Sequence, residues 1–415
     1  MAVVLIGTLD TKGPEYAWLS GRLAALGCEV IVVDTGVGAP EGIAAVVGNA
    51  AVAAAAGAEV GELRRAGDRG AAVTAMGEGA AVVLAALHAE GRVDAVLAVG
   101  GSGGSSIAAR AVRDLPIGLP KVIVSTMASG DVSPYVGAKD VTLMYSVVDI
   151  AGVNRLSRAI LGNAAAAAAG MARAYAEREA LPAGGGATLT EGAVREDERP
   201  LVAASMFGVT TPAVDAARAR LGELGYEVLV FHATGSGGRA LEGLAAGGML
   251  AGVLDLTTTE LADELVGGVL TAGPERLTAA GRHGVPQVVA PGALDMVNFG
   301  PRETVPERFG QRVLYVHNPT VTLMRTTTEE MAELGREIAA KLAAATGPAV
   351  LFIPEGGVSA LDAPGLPFYD QKADEAAFEA MAAFPDTVRL ALHINDPEFG
   401  RAMADRLHQL IKGDQ

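Results

Sequence analysis

The chain opens with Ala2-Val3-Val4-Leu5-Ile6-Gly7, a run without a polar side chain. An apolar stretch with no alternation is the pattern of a strand covered on both faces, as in a parallel sheet. Pro14 then marks a helix start. Tyr16, Leu19, Leu23 and Leu26 follow at helical spacing until Gly27 supplies a stop. Residues 30–33 form a second apolar run, ending at Asp34. Strand, helix and strand in this order predict a right-handed crossover between parallel strands. The same reading predicts strands over 95–99 and 121–124, a helix over 107–115 and a long helix from about Val153 to Ala180.

Residues 181–200 combine proline, glycine and charge without a period, which marks a linker. Beyond it the pattern repeats. At constant spacing Pro14 falls opposite Pro212, Leu26 opposite Leu224, Gly27 opposite Gly225 and Val30 opposite Val228. The strand at 95–99 has its counterpart at 252–256, and Tyr145 and Arg155 have theirs in Tyr315 and Arg325. Matches in chain order point to internal duplication. The expected fold class is α/β: two Rossmann-like domains, 1–180 and 201–415, each a mainly parallel sheet flanked by helices.

Composition narrows the function. Half of the 415 residues are apolar, which excludes a disordered or fibrous chain. With 32 Lys+Arg against 48 Asp+Glu the net charge is −16, a poor basis for binding nucleic acid or an anionic membrane. Cys28 stands alone, which excludes an internal disulfide framework and a cysteine-rich zinc site. The apolar window 43–60 is mostly alanine and is not expected to span a membrane. With no basic segment before the first strand, a cytoplasmic location is expected.

Glycine accounts for 54 residues, and the excess must serve turns and close backbone approaches. The sharpest cluster is Gly100-Gly101-Ser102-Gly103-Gly104-Ser105-Ser106, between a buried strand and a helix. Helix N-terminal amides carry unpaired N–H groups that suit phosphate or carboxylate. No Gly-Lys-Ser/Thr follows, so it is not a Walker A loop, and the dinucleotide fingerprint is incomplete. After the first strand, Thr8 and Thr11 can donate hydroxyls, Lys12 can meet a phosphate, and Asp10 can hold a sugar hydroxyl or a metal. Residues 35–38 and 126–131 follow other strands and can rim the same crevice. In the second half, His232 opens a further glycine loop. His232 and His317 with Asp295, Glu355 or Asp362 can form an acid–base pair or a weak metal site, with Arg325 completing the polar set.

The segments Gly7-Thr8-Leu9-Asp10-Thr11-Lys12-Gly13, the loop at 100–106, residues 232–238, residues 290–298 and residues 317–326 together resemble the family named after the tomato mosaic virus resistance protein. The resemblance covers essentially the whole chain. It implies ATP bound largely by the first domain, with Thr11, Lys12 and residues 100–106 as the strongest nucleotide contacts. Asp10, Thr126, Met127 and Gly130 are further contacts, and magnesium is left open. It also implies homodimers. In plants the module is fused to a TIM-barrel domain, so a barrel partner is expected as a separate protein here. Two functions stand. One is an ATP-binding protein. The other is an enzyme acting on a small phosphorylated or carboxylated metabolite between the domains, with His232 and Asp295 as acid–base residues.

Overall fold

A computed structural model describes residues 1–180 and 199–413. The expected linker therefore lies, but for residues 199 and 200, outside the described residues. The chain divides into two compact units. The first runs β1 (Ala2–Gly7), α1 (Leu9–Ala25), β2 (Glu29–Asp34), α2 (Asn49–Ala55), α3 (Val60–Ala66), α4 (Arg69–Ala89), β3 (Ala95–Gly100) and α5 (Ser102–Val112). It continues with β4 (Lys121–Ser125), α6 (Ser133–Val136), β5 (Val141–Tyr145) and α7 (Arg155–Ala180). The five strands pair in the order β2-β1-β3-β4-β5, all parallel.

β1 is buried along its whole length, so its alternate side chains serve two cores. Val3 and Leu5 meet Tyr16, Leu19 and Leu23 of α1 and Ala164, Ala165 and Ala168 of α7. Val4 and Ile6 meet Met76, Ala80 and Leu84 of α4 and Ile107 and Ala108 of α5. The alanine run of α7 lets that helix lie close to the sheet. Residues 43–60 hold α2 between loops, and Cys28 is a buried free thiol. Among the described residues one helix, α4, is long and apolar enough to cross a membrane, and its Met76, Ala80, Leu84 and Leu87 pack in the first unit's core.

The second unit runs β6 (Leu201–Met206), α8 (Thr211–Glu223), β7 (Glu227–His232), α9 (Ser236–Ala246), β8 (Gly252–Thr257), α10 (Thr259–Val266), α11 (Ala279–Arg282) and β9 (Gln287–Gly292). Next come β10 (Met296–Phe299), β11 (Leu314–Asn318), β12 (Val321–Arg325), α12 (Thr328–Ala343), β13 (Ala349–Pro354), α13 (Gln371–Met381), β14 (Thr387–Leu390) and α14 (Pro397–Lys412). Its parallel sheet has the order β14-β13-β9-β8-β6-β7. Around β6 this repeats the first unit, β7 standing for β2, β8 for β3 and β9 for β4. β2 and β7 fall on the residues that the sequence register pairs. The strands β10, β12 and β11 form a separate antiparallel sheet that the apolar runs did not announce.

Two local starts differ from the sequence reading. α1 begins at Leu9 rather than Pro14, because Asp34 Oδ1 accepts the Leu9 amide at 3.1 Å and the Thr8 carbonyl accepts the amides of Thr11 and Lys12. A kink at Lys12 joins this turn to the rest of the helix. α5 begins at Ser102 rather than Ile107, so most of the glycine-serine stretch is the first turn of a helix.

Candidate functional site

In the order β2-β1-β3-β4-β5 the connections from β1 and β3 leave toward opposite faces. The carboxyl ends of these two strands therefore part and open a crevice, where open α/β sheets take ligands. Pairing of β1 with β3 runs from Val3 with Ala95 to Ile6 with Ala98 and stops there. The buried Tyr16 hydroxyl fills the break. It donates to the Ile6 carbonyl at 2.6 Å, lies 2.9 Å from the Val99 carbonyl and accepts the Val99 amide at 2.8 Å. Burial raises the ionisation of this phenol well above the ordinary tyrosine range.

Above the break lies a cavity of about 700 Å³, within the range of small-molecule sites. Thr8, Asp10, Thr11 and Lys12 line it from the start of α1, and Gly100, Gly101, Ser102, Gly103 and Gly104 from the end of β3 and the first turn of α5. Thr126 and Met127 line it from the loop after β4, and Thr35, Gly36 and Val37 from the loop after β2. The cap residue of α5, Gly101, offers no side-chain acceptor, and the first backbone bond is from Ser105 to the Gly101 carbonyl. The amides of Ser102, Gly103 and Gly104 are therefore left without an intrahelical acceptor. Lys12 donates its ammonium to the Ile150 carbonyl. Asp10 Oδ2 accepts the Gly38 amide at 2.7 Å, while its Oδ1 is buried without a partner.

Three residues expected to contact nucleotide do not line the cavity. Ser105 turns inward, its hydroxyl sharing a 2.6 Å hydrogen bond with that of Ser125. Ser106 donates to the Ser102 carbonyl at 2.9 Å, and Gly130 lies in the loop beyond Met127. Conversely, Arg64 and Arg69 line the cavity and were not found in the sequence. Arg69 Nη2 lies 3.3 Å from where a Cβ on Gly103 would stand, which puts its guanidinium at the open turn of α5. Arg64 donates to the Val37 carbonyl at 2.6 Å. Arg69 opens α4, whose packing on α5 brings it there, and Arg64 lies in the last turn of α3.

The second unit fills the corresponding positions with its own side chains. Glu260 Oε1 accepts the amides of Gly235 and Gly238 at 2.6 and 3.1 Å, so the first turn of α9 already holds a carboxylate. The buried Arg276 donates to Glu260 at 2.6 Å and also pairs with Asp255. After β8, the Thr258 hydroxyl donates to the Ala290 carbonyl and that of Thr210 bonds to Thr257.

The second-half candidates are spread. His232 is exposed, its ring edge-on to Phe207 at 5.5 Å. His317 is exposed on β11 beside Tyr315. Asp295 is wholly buried and accepts the Ser359 hydroxyl at 2.7 Å, and no hydrogen bond joins it to either histidine among the described residues. Arg325 donates to Asp374 at 2.7 Å and to the Phe368 carbonyl at 2.7 Å. Burial, reinforced by the Asp362 charge and opposed by Arg325, pushes the Asp295 carboxyl up to about 7. Burial and Asp362 push Asp374 up to about 8. His393, absent from the sequence reading, places Nε2 3.0 Å from the Ser359 carbonyl. Among the described residues no group of three or more His, Cys, Asp or Glu is arranged to hold a metal ion.

Comparison with known proteins agrees with this two-part organisation. Residues 1–177 match the N-terminal domain, and residues 199–411 the C-terminal domain, of the uncharacterised protein family UPF0261. A UPF0261 protein of Clostridium tetani is 48% identical over 99% of both chains, and one of Rhizobium meliloti is 47% identical over 96% of both. The ToMV resistance protein Tm-1(GCR237) of Solanum lycopersicum is 44% identical over 81% of this chain and 44% of its own length. A solved putative UDP-N-acetylglucosamine 2-epimerase from Listeria monocytogenes aligns at 12% identity over 94% of this chain and 98% of its own, with a TM-score of 0.23. With both of its domains matched and relatives of nearly half identity along its whole length, the chain belongs to the uncharacterised protein family UPF0261.

Proposed function

We propose that this protein binds a nucleoside triphosphate, ATP, in the cavity of its first unit. The observation that carries the reading is the open first turn of α5, with Arg69 beside it, in a cavity of about 700 Å³ at the break between β1 and β3. Unpaired amides, the positive end of the helix and a guanidinium favour the same charge at one place. The phosphates lie there, between Arg69 and the ammonium of Lys12, with Thr8 and Thr11 as hydroxyl donors. Magnesium is carried in by the triphosphate rather than by a preformed site.

Isothermal titration with ATP tests this. Wild-type protein binds. Gly103→Leu, whose side chain enters the space between α5 and Arg69, loses binding while keeping its far-ultraviolet circular dichroism. Arg69→Ala binds about ten- to a hundred-fold more weakly, the usual loss for a hydrogen bond to a charged group. Unchanged affinity in both variants overturns the assignment.

A further inference from the structure

The cavity wall on the β2 side of β1 has a chemistry that phosphate does not satisfy. Asp10 Oδ1, Asp34 Oδ2 and Thr35 Oγ1 are all buried with no hydrogen-bond partner. Thr35 is 2% exposed and Asp34 1%, and both Asp10 and Thr35 line the cavity. Asp10 meets the loop that carries Thr35: a Cβ on Gly36, the next residue, would stand 2.5 Å from Asp10 Oδ1. The other oxygen of each carboxylate is already used, Asp10 Oδ2 by the Gly38 amide and Asp34 Oδ1 by the amides of Leu9 and Gly36. The loop is thus held in place while one acceptor of each carboxylate stays buried and unmet. Carboxylate oxygens seek donors, and leaving them unmet in a buried site is costly. A phosphate brings only acceptors and negative charge.

We infer that this wall recognises the vicinal hydroxyls of a ribose, Asp10 Oδ1 and Thr35 Oγ1 accepting their hydrogens, so that the ligand class is a ribonucleotide rather than a deoxyribonucleotide or a bare polyphosphate. The inference rests on the nucleotide reading above and adds the sugar to it. A diol supplies two donors to two unmet acceptors on one cavity wall. The two sides of β1 then divide the ligand, phosphates toward α5 and sugar toward the loop after β2.

The test compares ATP, 2′-deoxy-ATP, 3′-deoxy-ATP and inorganic tripolyphosphate by titration calorimetry, with magnesium and with EDTA. ATP is expected to bind at least about ten-fold tighter than either deoxy analogue in both conditions. Asp10→Asn and Thr35→Val, each checked for unchanged circular dichroism, bring the ATP-to-deoxy ratio to within about two-fold while tripolyphosphate binds at least as tightly as to wild type, because no phosphate contact is lost. Equal affinity for ATP and both analogues in the wild type overturns the sugar assignment and leaves the phosphate site standing. A preference that vanishes in EDTA overturns it in favour of a cation held by the carboxylates. Absence of any ATP binding overturns both readings.

Discussion

At the scale of single residues, the cavity's walls are held by groups that do not line it. Tyr16 sits where the β1–β3 ladder ends, and its hydroxyl meets backbone groups that would otherwise be orphaned. Tyr16→Phe keeps the packing and removes the hydroxyl, leaving the Val99 amide buried and unmet. Its expected cost is about 1–3 kcal/mol in urea unfolding of the first unit. A variant with wild-type stability would show that the strands close the break unaided. Asp34 acts alike: one oxygen holds both the start of α1 and the turn at Gly36, which fixes the geometry of two cavity walls from one carboxylate.

At the scale of elements, two glycine-rich helix starts have opposite fates. The first turn of α5 is open to the cavity, whereas that of α9 is capped by Glu260, itself held by the buried Arg276. Without Glu260 the amides of Gly235 and Gly238 and the Arg276 Nε–H lose their acceptor, although Arg276 keeps Asp255. At about 1–3 kcal/mol for each buried donor left unmet, Glu260→Ala is expected to destabilise the second unit by roughly 3–5 kcal/mol in denaturant unfolding. A loss below about 1 kcal/mol would mean that the α9 amides do not need the carboxylate. The contrast also shows what the sequence could carry. Strands buried on both faces are legible because β1 and β3 are unbroken apolar runs, and the loops after them are legible as walls of one cavity because parallel strands place them together. Arg69 was hidden because its nearness to α5 arises from the packing of α4. Glu260 was hidden because a glutamate in the first turn of α10 reads as a partner of its own helix dipole rather than a cap for another helix. Ser105 and Ser106 were overread: in a helix beginning at Ser102 the fourth and fifth residues turn away from the open amides.

At the scale of the whole molecule, two parallel sheets of related order divide properties between them. The first unit keeps an open cavity, and the second buries carboxyls that folding pushes toward the protonated form. Asp263 and Asp295 are pushed up to about 7 and Asp374 to about 8, in each case chiefly by burial. A carboxyl whose pKa is raised by folding holds a proton in the folded state that the unfolded chain has released above about pH 4. Its stabilising contribution is complete below that pH and is lost progressively from about pH 4 up to the folded value, about 7 for Asp263 and Asp295 and about 8 for Asp374. Each such group costs about 1.4 kcal/mol per pH unit while it is protonated only in the folded state. Differential scanning calorimetry of the full chain is expected to show the second unit's transition falling from pH 6 to pH 8. One proton corresponds to roughly 3–6 °C per pH unit for a domain of this size. Asp295→Asn, whose carboxamide still accepts from Ser359, should flatten that slope. ATP at a hundred times its dissociation constant should instead raise the first unit's transition, by about 2.7 kcal/mol. A pH slope that is the same in Asp295→Asn, or an ATP shift confined to the second unit's transition, would separate these properties from the groups assigned to them.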